Sequence, residues 1–406
     1  MNILIKFNIA YIQQNNYHHP KRKNIILNYF YKIIRMKKIL FVSTTLGNGG
    51  AERIISYLLY EFAKDQNKQI ILLLLKKEGN TYLSYVSANV KVINLNIKNR
   101  IRYSIYSIIK QIISIRPNIC YVGLDKLNIM LAFFIPFMKL WKIRFIVRET
   151  NVLSQQYNFH NPFIKLSYKV FYNQYDSIIA QSIDMKDDLI NIWKINRQKI
   201  NLINNPININ AIIAKSVEAS KYKLNKEEGK INFVAIGRLE HQKGYDILLK
   251  RMAELNPKIP FRLYILGGGA LLNKITEMIK LLNLESSVQL LGFQSNPYSI
   301  LKESDGIILS SRHEGFPNVL LEANALGIPI FSNQCPGGIN EIIIEGINGI
   351  SCNFESETSF QNGLEKFLST NFDAEKIRLM TQKRYDISVI LPKYRSVFYQ
   401  VGNKAI

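Results

Sequence analysis

One rhythm limits the fold more than any other feature. From Lys38 onward, short, mainly apolar runs alternate with stretches of helical period. "KILFVS", "QIILLLL", "VKVINLN", "PNICYVG", "RFIVRET" and "DSIIAQS" are such runs, and helical patterns such as "AERIISYLLYEFAK" lie between most of them. A run with no in–out alternation is buried on both faces, as a parallel strand covered by helices must be. Alternating strand and helix therefore predict an α/β domain with a doubly wound parallel sheet. The series then restarts. After the polar stretch "AKSVEASKYKLNKEEGK", the runs "INFVAIG", "FRLYILGGG", "VQLLGF", "DGIILSS" and "IPIFSN" again alternate with helical segments. A chain of 406 residues also exceeds one ordinary core. The expected organisation is a basic extension over 1–35, a first domain over 36–210, a linker over 211–230, a second domain over 231–375 and a helical tail over 376–406. Two such sheets side by side leave a cleft at the carboxyl ends of their strands, where ligands of doubly wound sheets bind.

The formal net charge is +23. That suits anionic partners such as nucleic acid, a membrane face or phosphorylated substrates, but also a lysine-rich chain with solvated faces. No recognition-helix, zinc-finger or RNP-type pattern is present, which argues against nucleic acid. The cysteines Cys120, Cys335 and Cys352 are odd in number and far apart, so neither a disulfide framework nor a zinc site is indicated, and a reducing cytoplasm fits. The longest apolar stretch, "IMLAFFIPFM", ends at Lys139, short of the roughly 18 residues of a spanning helix. Residues 1–35 contain no acid and carry Lys6, Lys21, Arg22, Lys23, Lys32 and Arg35. Two readings stand for this extension. Either translation starts at Met36 and the segment is not native, or it is a basic amphipathic arm on an anionic membrane.

Chemistry concentrates at the predicted strand ends. In "GRLEHQKG", Gly237 permits a sharp turn, and Arg238 and Lys243 follow at one strand end. A planar guanidinium and a point charge held together suit a diphosphate. In "LGNGGAER", Gly49 and Gly50 let a ligand approach the backbone at a helix start, where free N–H groups attract anions. This turn matches neither the GxGxxG dinucleotide pattern nor a Walker A loop, which sets aside NAD binding and P-loop hydrolysis.

In "SSRHEGFPNVLLEANALG" two glutamates stand eight positions apart. Glu314 leaves a buried strand at the cleft mouth. Pro317 suits a helix start, Asn318 is a candidate to satisfy the first helix donors, and Glu322 falls about one turn inside the helix. At a rise of ~1.5 Å per helical residue the carboxylates flank one ligand rather than touch. Spacing alone does not separate a working pair from a loop charge and a helix-surface charge.

These segments, with "LGGGALLNKI" and "GGINEII", resemble the nucleotide-sugar domain of retaining glycosyltransferases of the GT-B fold, family 4. "GNGGAER" is similar to the N-terminal loop of that family. "SSRHEGFPNVLLEA" and "CPGG" resemble bacterial enzymes that extend lipid-linked or surface glycans, N-acetylgalactosaminyl transferases among them. The resemblance implies two Rossmann-like domains facing a cleft. It implies a transfer of a hexose or N-acetylhexosamine from a nucleoside-diphosphate sugar, UDP by default, to a hydroxyl of a glycan or lipid-linked glycan. Arg238 and Lys243 would neutralise the leaving diphosphate, and Glu314 would face the donor sugar. Gly315, Phe316, Pro317, Asn318 and Val319, with Gly237, would line the donor, and Glu322 would take the ribose hydroxyls. Gly49 and Gly50 would sit across the cleft. No metal is implied, since the chain has no Asp-x-Asp and two cations are in place.

One departure matters. Many family members carry a histidine after a first-domain strand, where this chain reads "FIVRETN". Arg148, Glu149 and Asn151 are the candidates on that acceptor side. His313, beside Glu314, reads as a loop residue, and Gly267 to Gly269 as room for the nucleotide. The expected location is cytoplasmic, peripheral to the inner face of the plasma membrane. A non-catalytic nucleotide-sugar-binding subunit that regulates a partner transferase is the alternative.

Overall fold

The computed structural model describes residues 36–47, 49–76, 81–97, 104–123, 125–157, 160–255 and 259–399. The basic extension over 1–35 lies outside the described residues. Two wholly parallel sheets carry the chain. The first contains β1 (Lys37–Ser43), β2 (Lys68–Leu74), β3 (Val90–Asn94), β4 (Ile119–Val122), β5 (Arg144–Arg148), β6 (Ser177–Ala180) and β7 (Ile200–Leu202). Their order is β3-β2-β1-β4-β5-β6-β7. The second contains β8 (Ile231–Ile236), β9 (Phe261–Leu266), β10 (Val288–Gly292), β11 (Gly306–Leu309), β12 (Ile330–Asn333) and β13 (Gly349–Cys352), ordered β10-β9-β8-β11-β12-β13. The pattern of apolar runs does not mark β7 or β13. "INL" and "GISC" are too short and too polar to stand out, and pairing along β6 and β12 makes them strands.

The order in which strands are added reverses between β1 and β4 in one sheet and between β8 and β11 in the other, while all strands stay parallel. At such a switch point the loops leaving the two strands part and open a crevice. The Gly49–Gly50 turn follows β1, the Gly237–Gly244 segment follows β8, and Glu314 follows β11. The topology therefore brings all three to the cleft.

Apolar residues on both faces of each strand explain the double winding. Ile39 and Phe41 of β1 join Ile54, Ile55, Leu58, Leu59 and Phe62 of the helix Gly50–Phe62 on one side. Leu40 and Val42 join Ile108 and Ile112 on the other. In the second sheet, Phe233 and Val234 divide in the same way between two clusters.

The chain crosses between the sheets twice. The expected linker from residue 211 begins inside the helix Ile209–Ser216, whose Ile209 and Ile212 pack with Tyr298, Leu320 and Leu321 of the second domain. The expected tail is a return crossing. Its last helix, Ile387–Tyr399, packs on the first sheet, where Phe398 stacks against Phe62 and Tyr121 at centroid distances of 4.5 and 5.5 Å. Burying that ring contributes roughly 1.5–3 kcal/mol to holding the crossing in place. The two crossings are bonded to each other, with Ile207 N–H donating to Tyr385 O and Ile387 N–H to Ile207 O, each at 2.9 Å.

Candidate active site

The second domain's part of the site depends on glycines that accept close backbone. Gly244 has φ +63°, and a Cβ there would lie 2.1 Å from Ser310 O. A Cβ on Gly267 would lie 1.9 Å from Gly237 O. The glycines after β9 thus first serve the packing of one strand end on another, with Gly267 and Gly268 lining the cleft as well. The turn His241–Lys243 is locked to the β11 loop by Arg312 N–H donating to Gln242 O at 2.8 Å and Gln242 Nε2 to His313 O at 2.9 Å. This aims Lys243 Nζ at Glu314 Oε1, 2.6 Å away. Ser311 Oγ donates to the same oxygen at 2.6 Å. Glu314 is buried but lines the cleft.

Arg238 is placed differently from the expectation of two cations at one point. Its side chain is 67% exposed and pairs with Glu240 at 3.0 Å, because the residue after Gly237 turns outward while Lys243 turns in. Both line the cleft. His313 is not on the cleft wall. Its Nδ1 is buried without a hydrogen-bond partner, and burial pushes the imidazole below its usual range.

The helix Asn318–Ala325 opens at Pro317 and has no side-chain cap. Asn318 was expected to cap it. Instead its Oδ1 accepts from Asn205 Nδ2 at 2.8 Å, across the cleft. The helix start, with Val319, therefore faces the cleft with its first N–H groups uncapped. Glu322 is no surface charge. It is 2% exposed, and Arg53 Nη2 from the first domain lies 2.5 Å from its Oε1. Arg53 Nη1 also donates to the Tyr298 hydroxyl at 2.8 Å. Burial pushes the Glu322 carboxyl above its usual range, and Arg53 opposes that.

The first domain supplies the facing wall. Gly49 precedes the helix Gly50–Phe62, again without a side-chain cap. A Cβ on Gly50 would lie 2.6 Å from Asn318 Nδ2, so the two uncapped helix starts meet across the cleft. A Cβ on Gly315 would lie 2.0 Å from Thr150 O, and Asn151 is beside it on the wall. Arg148 is 1% exposed at the end of β5 and donates from Nη2 to Asn205 Oδ1 at 2.7 Å. Its Nε and Nη1 are buried without a partner. Glu149 is not on the cleft wall. Successive residues at a strand end point to opposite sides, and its Oε1 accepts from Asn128 Nδ2 at 3.1 Å inside the first domain. Between the walls is a cleft of about 740 Å³, large enough for a nucleotide sugar.

Of the expected residues, Gly49, Gly50, Arg148, Asn151, Gly237, Arg238, Lys243, Glu314, Gly315, Phe316, Pro317, Asn318, Val319 and Glu322 meet on this cleft, and Glu149 does not. Arg53, Asn205 and Tyr298 were missed. Arg53 had a signal, since it closes the "GNGGAER" turn. Among the described residues no cluster of three or more His, Cys, Asp or Glu could hold a metal ion.

The chain is similar to known proteins in sequence and in fold. Residues 216–384 match the family model described as glycosyl transferases group 1. An uncharacterised glycosyltransferase of Methanocaldococcus jannaschii is 34% identical over 251 residues, covering 60% of this chain and 62% of that protein. The N-acetylgalactosamine-N,N'-diacetylbacillosaminyl-diphospho-undecaprenol 4-alpha-N-acetylgalactosaminyltransferase of Campylobacter jejuni is 27% identical, covering 82% of this chain and 90% of that one. The crystal structure of HepE from Anabaena in complex with UDP and glucose superposes with a TM-score of 0.70 at 17% identity, over 90% of this chain and all of that one. The chain thus has the two-sheet GT-B fold, and over residues 216–384 it is similar to the group 1 glycosyltransferases.

Proposed function

We propose that the chain transfers a hexose or N-acetylhexosamine from a UDP-sugar to a hydroxyl of a lipid-linked or surface glycan, with retention at the anomeric carbon. The observation that carries this is the Lys243–Glu314 pair, set at 2.6 Å on the wall of a two-domain cleft and beside an uncapped helix start. The bond between the anomeric carbon and the β-phosphate oxygen breaks, and its electron pair leaves with UDP. The acceptor oxygen bonds to the carbon and passes its proton to the departing diphosphate oxygen. Lys243 and the first N–H groups of the helix Asn318–Ala325 face the charge that builds on the diphosphate. Arg238, held only by an exposed acid, is free to swing onto it. Glu314 stands on the sugar side, and Glu322 accepts the ribose hydroxyls. The two cations do the work that a metal ion does elsewhere, so we read the reaction as metal-independent.

UDP as the donor's nucleotide draws support from HepE, whose structure holds UDP and glucose in the same fold. The lipid-linked acceptor draws support from the Campylobacter relative, whose name specifies a diphospho-undecaprenol substrate. An acceptor of that kind presents its hydroxyl at a membrane surface, and we place the enzyme peripherally on the inner face. No helix among the described residues is long and apolar enough to cross a membrane. The test is a thermal-shift screen against UDP-, GDP- and ADP-sugars, followed by turnover with the donors that bind. A UDP-sugar should raise the melting temperature and be consumed. Binding without turnover, with any acceptor, would leave the regulatory-subunit reading; no binding at all would refute both.

A further inference from the structure

We infer that the first domain carries its own membrane-docking face, formed by the helix Pro162–Phe171 and the turn over residues 133–142. The helix has two apolar sides. Tyr168 packs inward with Trp193, their ring centroids 4.5 Å apart. Phe163, Leu166 and Val170, at spacings of three and four, form a second stripe that is 79%, 57% and 44% exposed. Side chains at those spacings share one face of a helix. The neighbouring turn adds Phe137 and Leu140, exposed by 67% and 80%. Phe133 ties the two segments together against Phe171, with ring centroids 4.1 Å apart. A soluble surface scatters such residues singly, and a contiguous set marks a contact face.

Charge selects the occupant. Residues 133–142 and 161–174 contain Lys139, Lys142, Lys165 and Lys169 and no acid. The adjoining turn adds Lys194 and Arg197 and is joined to the helix end by Asn196 N–H donating to Asn173 Oδ1 at 2.9 Å. Asp176 reaches Lys139 at 4.0 Å. Exposed aromatic and aliphatic side chains ringed by lysines fit an anionic phospholipid surface, where the rings enter the headgroup boundary and the cations meet lipid phosphates. In sequence the helix follows closely the segment that carries Thr150 and Asn151 to the cleft. The inference rests on the membrane-bound acceptor proposed above.

Flotation of the full chain with vesicles tests it. Binding is expected to vesicles of phosphatidylcholine mixed with phosphatidylglycerol, weakening with salt, and at least tenfold weaker to phosphatidylcholine alone. Replacing Phe137, Leu140, Phe163 and Leu166 together by serine should cut binding at least tenfold. Lys165→Glu with Lys169→Glu should cost roughly fivefold per lysine. All six positions are at the surface, so the melting temperature and its rise with UDP should not move. Leu281→Ser, an 81% exposed leucine of the second domain, is the control and should bind as the wild type does. The proposal falls if the full chain ignores anionic vesicles, or if the serine variant floats unchanged. It falls too if light scattering shows a dimer that the serine variant breaks, since the face is then a chain–chain interface. Transfer to a water-soluble acceptor reads the reaction without lipid, so loss of one reading is separable from loss of the other.

Discussion

Removing Lys243 should damage stability and turnover, and only the first should be repairable. Lys243→Met leaves the Glu314 carboxylate, 7% exposed, with Ser311 as its remaining donor. Breaking a fully buried pair by deleting one partner costs about 3–5 kcal/mol. Here the lysine side chain is 16% exposed on an open cleft, so water fills much of its place, and about 1–3 kcal/mol is the expected loss. Glu314→Gln in the same chain removes the unpaired charge and keeps an acceptor for Ser311. The double variant should return to within about 1 kcal/mol of the wild type, a coupling of the size adjacent partners show. Turnover should behave otherwise. A fixed charge aimed at a developing anion is worth about 10²–10³ in rate, so Lys243→Met should lose that much and the double variant should recover none of it. Stability is best followed by far-UV circular dichroism in urea, because both tryptophans, Trp141 and Trp193, lie in the other domain. Turnover is followed as UDP release. The reasoning is refuted if Lys243→Met stays within tenfold of wild-type turnover. It is refuted equally if the double variant is as unstable as the two single losses added.

Arg53→Ala should destabilise the chain more at neutral pH than near about pH 5. Burial raises the Glu322 carboxyl's folded pKa, so its ionised form costs stability above that value, the cost is relieved as pH falls through it, and Arg53 is what opposes it. Equal losses of melting temperature at the two pH values would sink this account. Gly315→Ala should cut UDP release at least tenfold and enlarge the radius of gyration, since its Cβ meets Thr150 O at 2.0 Å, whereas Gly268→Ala meets nothing within 4 Å and should leave the radius of gyration unchanged. Asp246→Asn should cost about 0.2–1 kcal/mol at neutral pH, because Arg312 holds the Asp246 carboxyl below its usual range through paired bonds of 2.9 and 2.7 Å. That difference from wild type should vanish as acid titrates through the depressed pKa, as denaturation at a series of low pH values would show. Turnover in excess EDTA should match turnover with added magnesium if the two cations suffice; a large loss in EDTA would refute the metal-independent reading.

The parts of the fold and site that could be read from the sequence share one property, which is that their cause is local. A strand buried on both faces must be largely apolar, so eleven of the thirteen strands among the described residues stood out, the half-exposed edge strands β3 and β10 included, and the short "INL" and "GISC" did not. Glu314 and Glu322 fall on one loop and one helix, and Lys243 on one glycine-bounded turn, so their spacing was itself a signal. What stayed hidden was pairing. Arg53 meets Tyr298 across 245 positions, and Asn205 meets Asn318 across 113. No composition or period encodes such a meeting, because it exists only once two sheets have closed on each other. Asn318 shows the consequence. Its type and place argued for a helix cap, yet a partner from the other domain competed for the same amide and won. Glu149 shows the reverse case. A charged residue in a promising tripeptide is turned away from the cleft by strand alternation, and that rule applies to "RET" from its position at the strand end alone. The residues hardest to read are thus those that hold the two domains together. They are also the ones that a donor entering the cleft must work around, because Arg53 already occupies one oxygen of Glu322. On the proposed donor site, the ribose of UDP would meet the carboxylate that Arg53 holds, so donor binding and the contact between the domains would share one group.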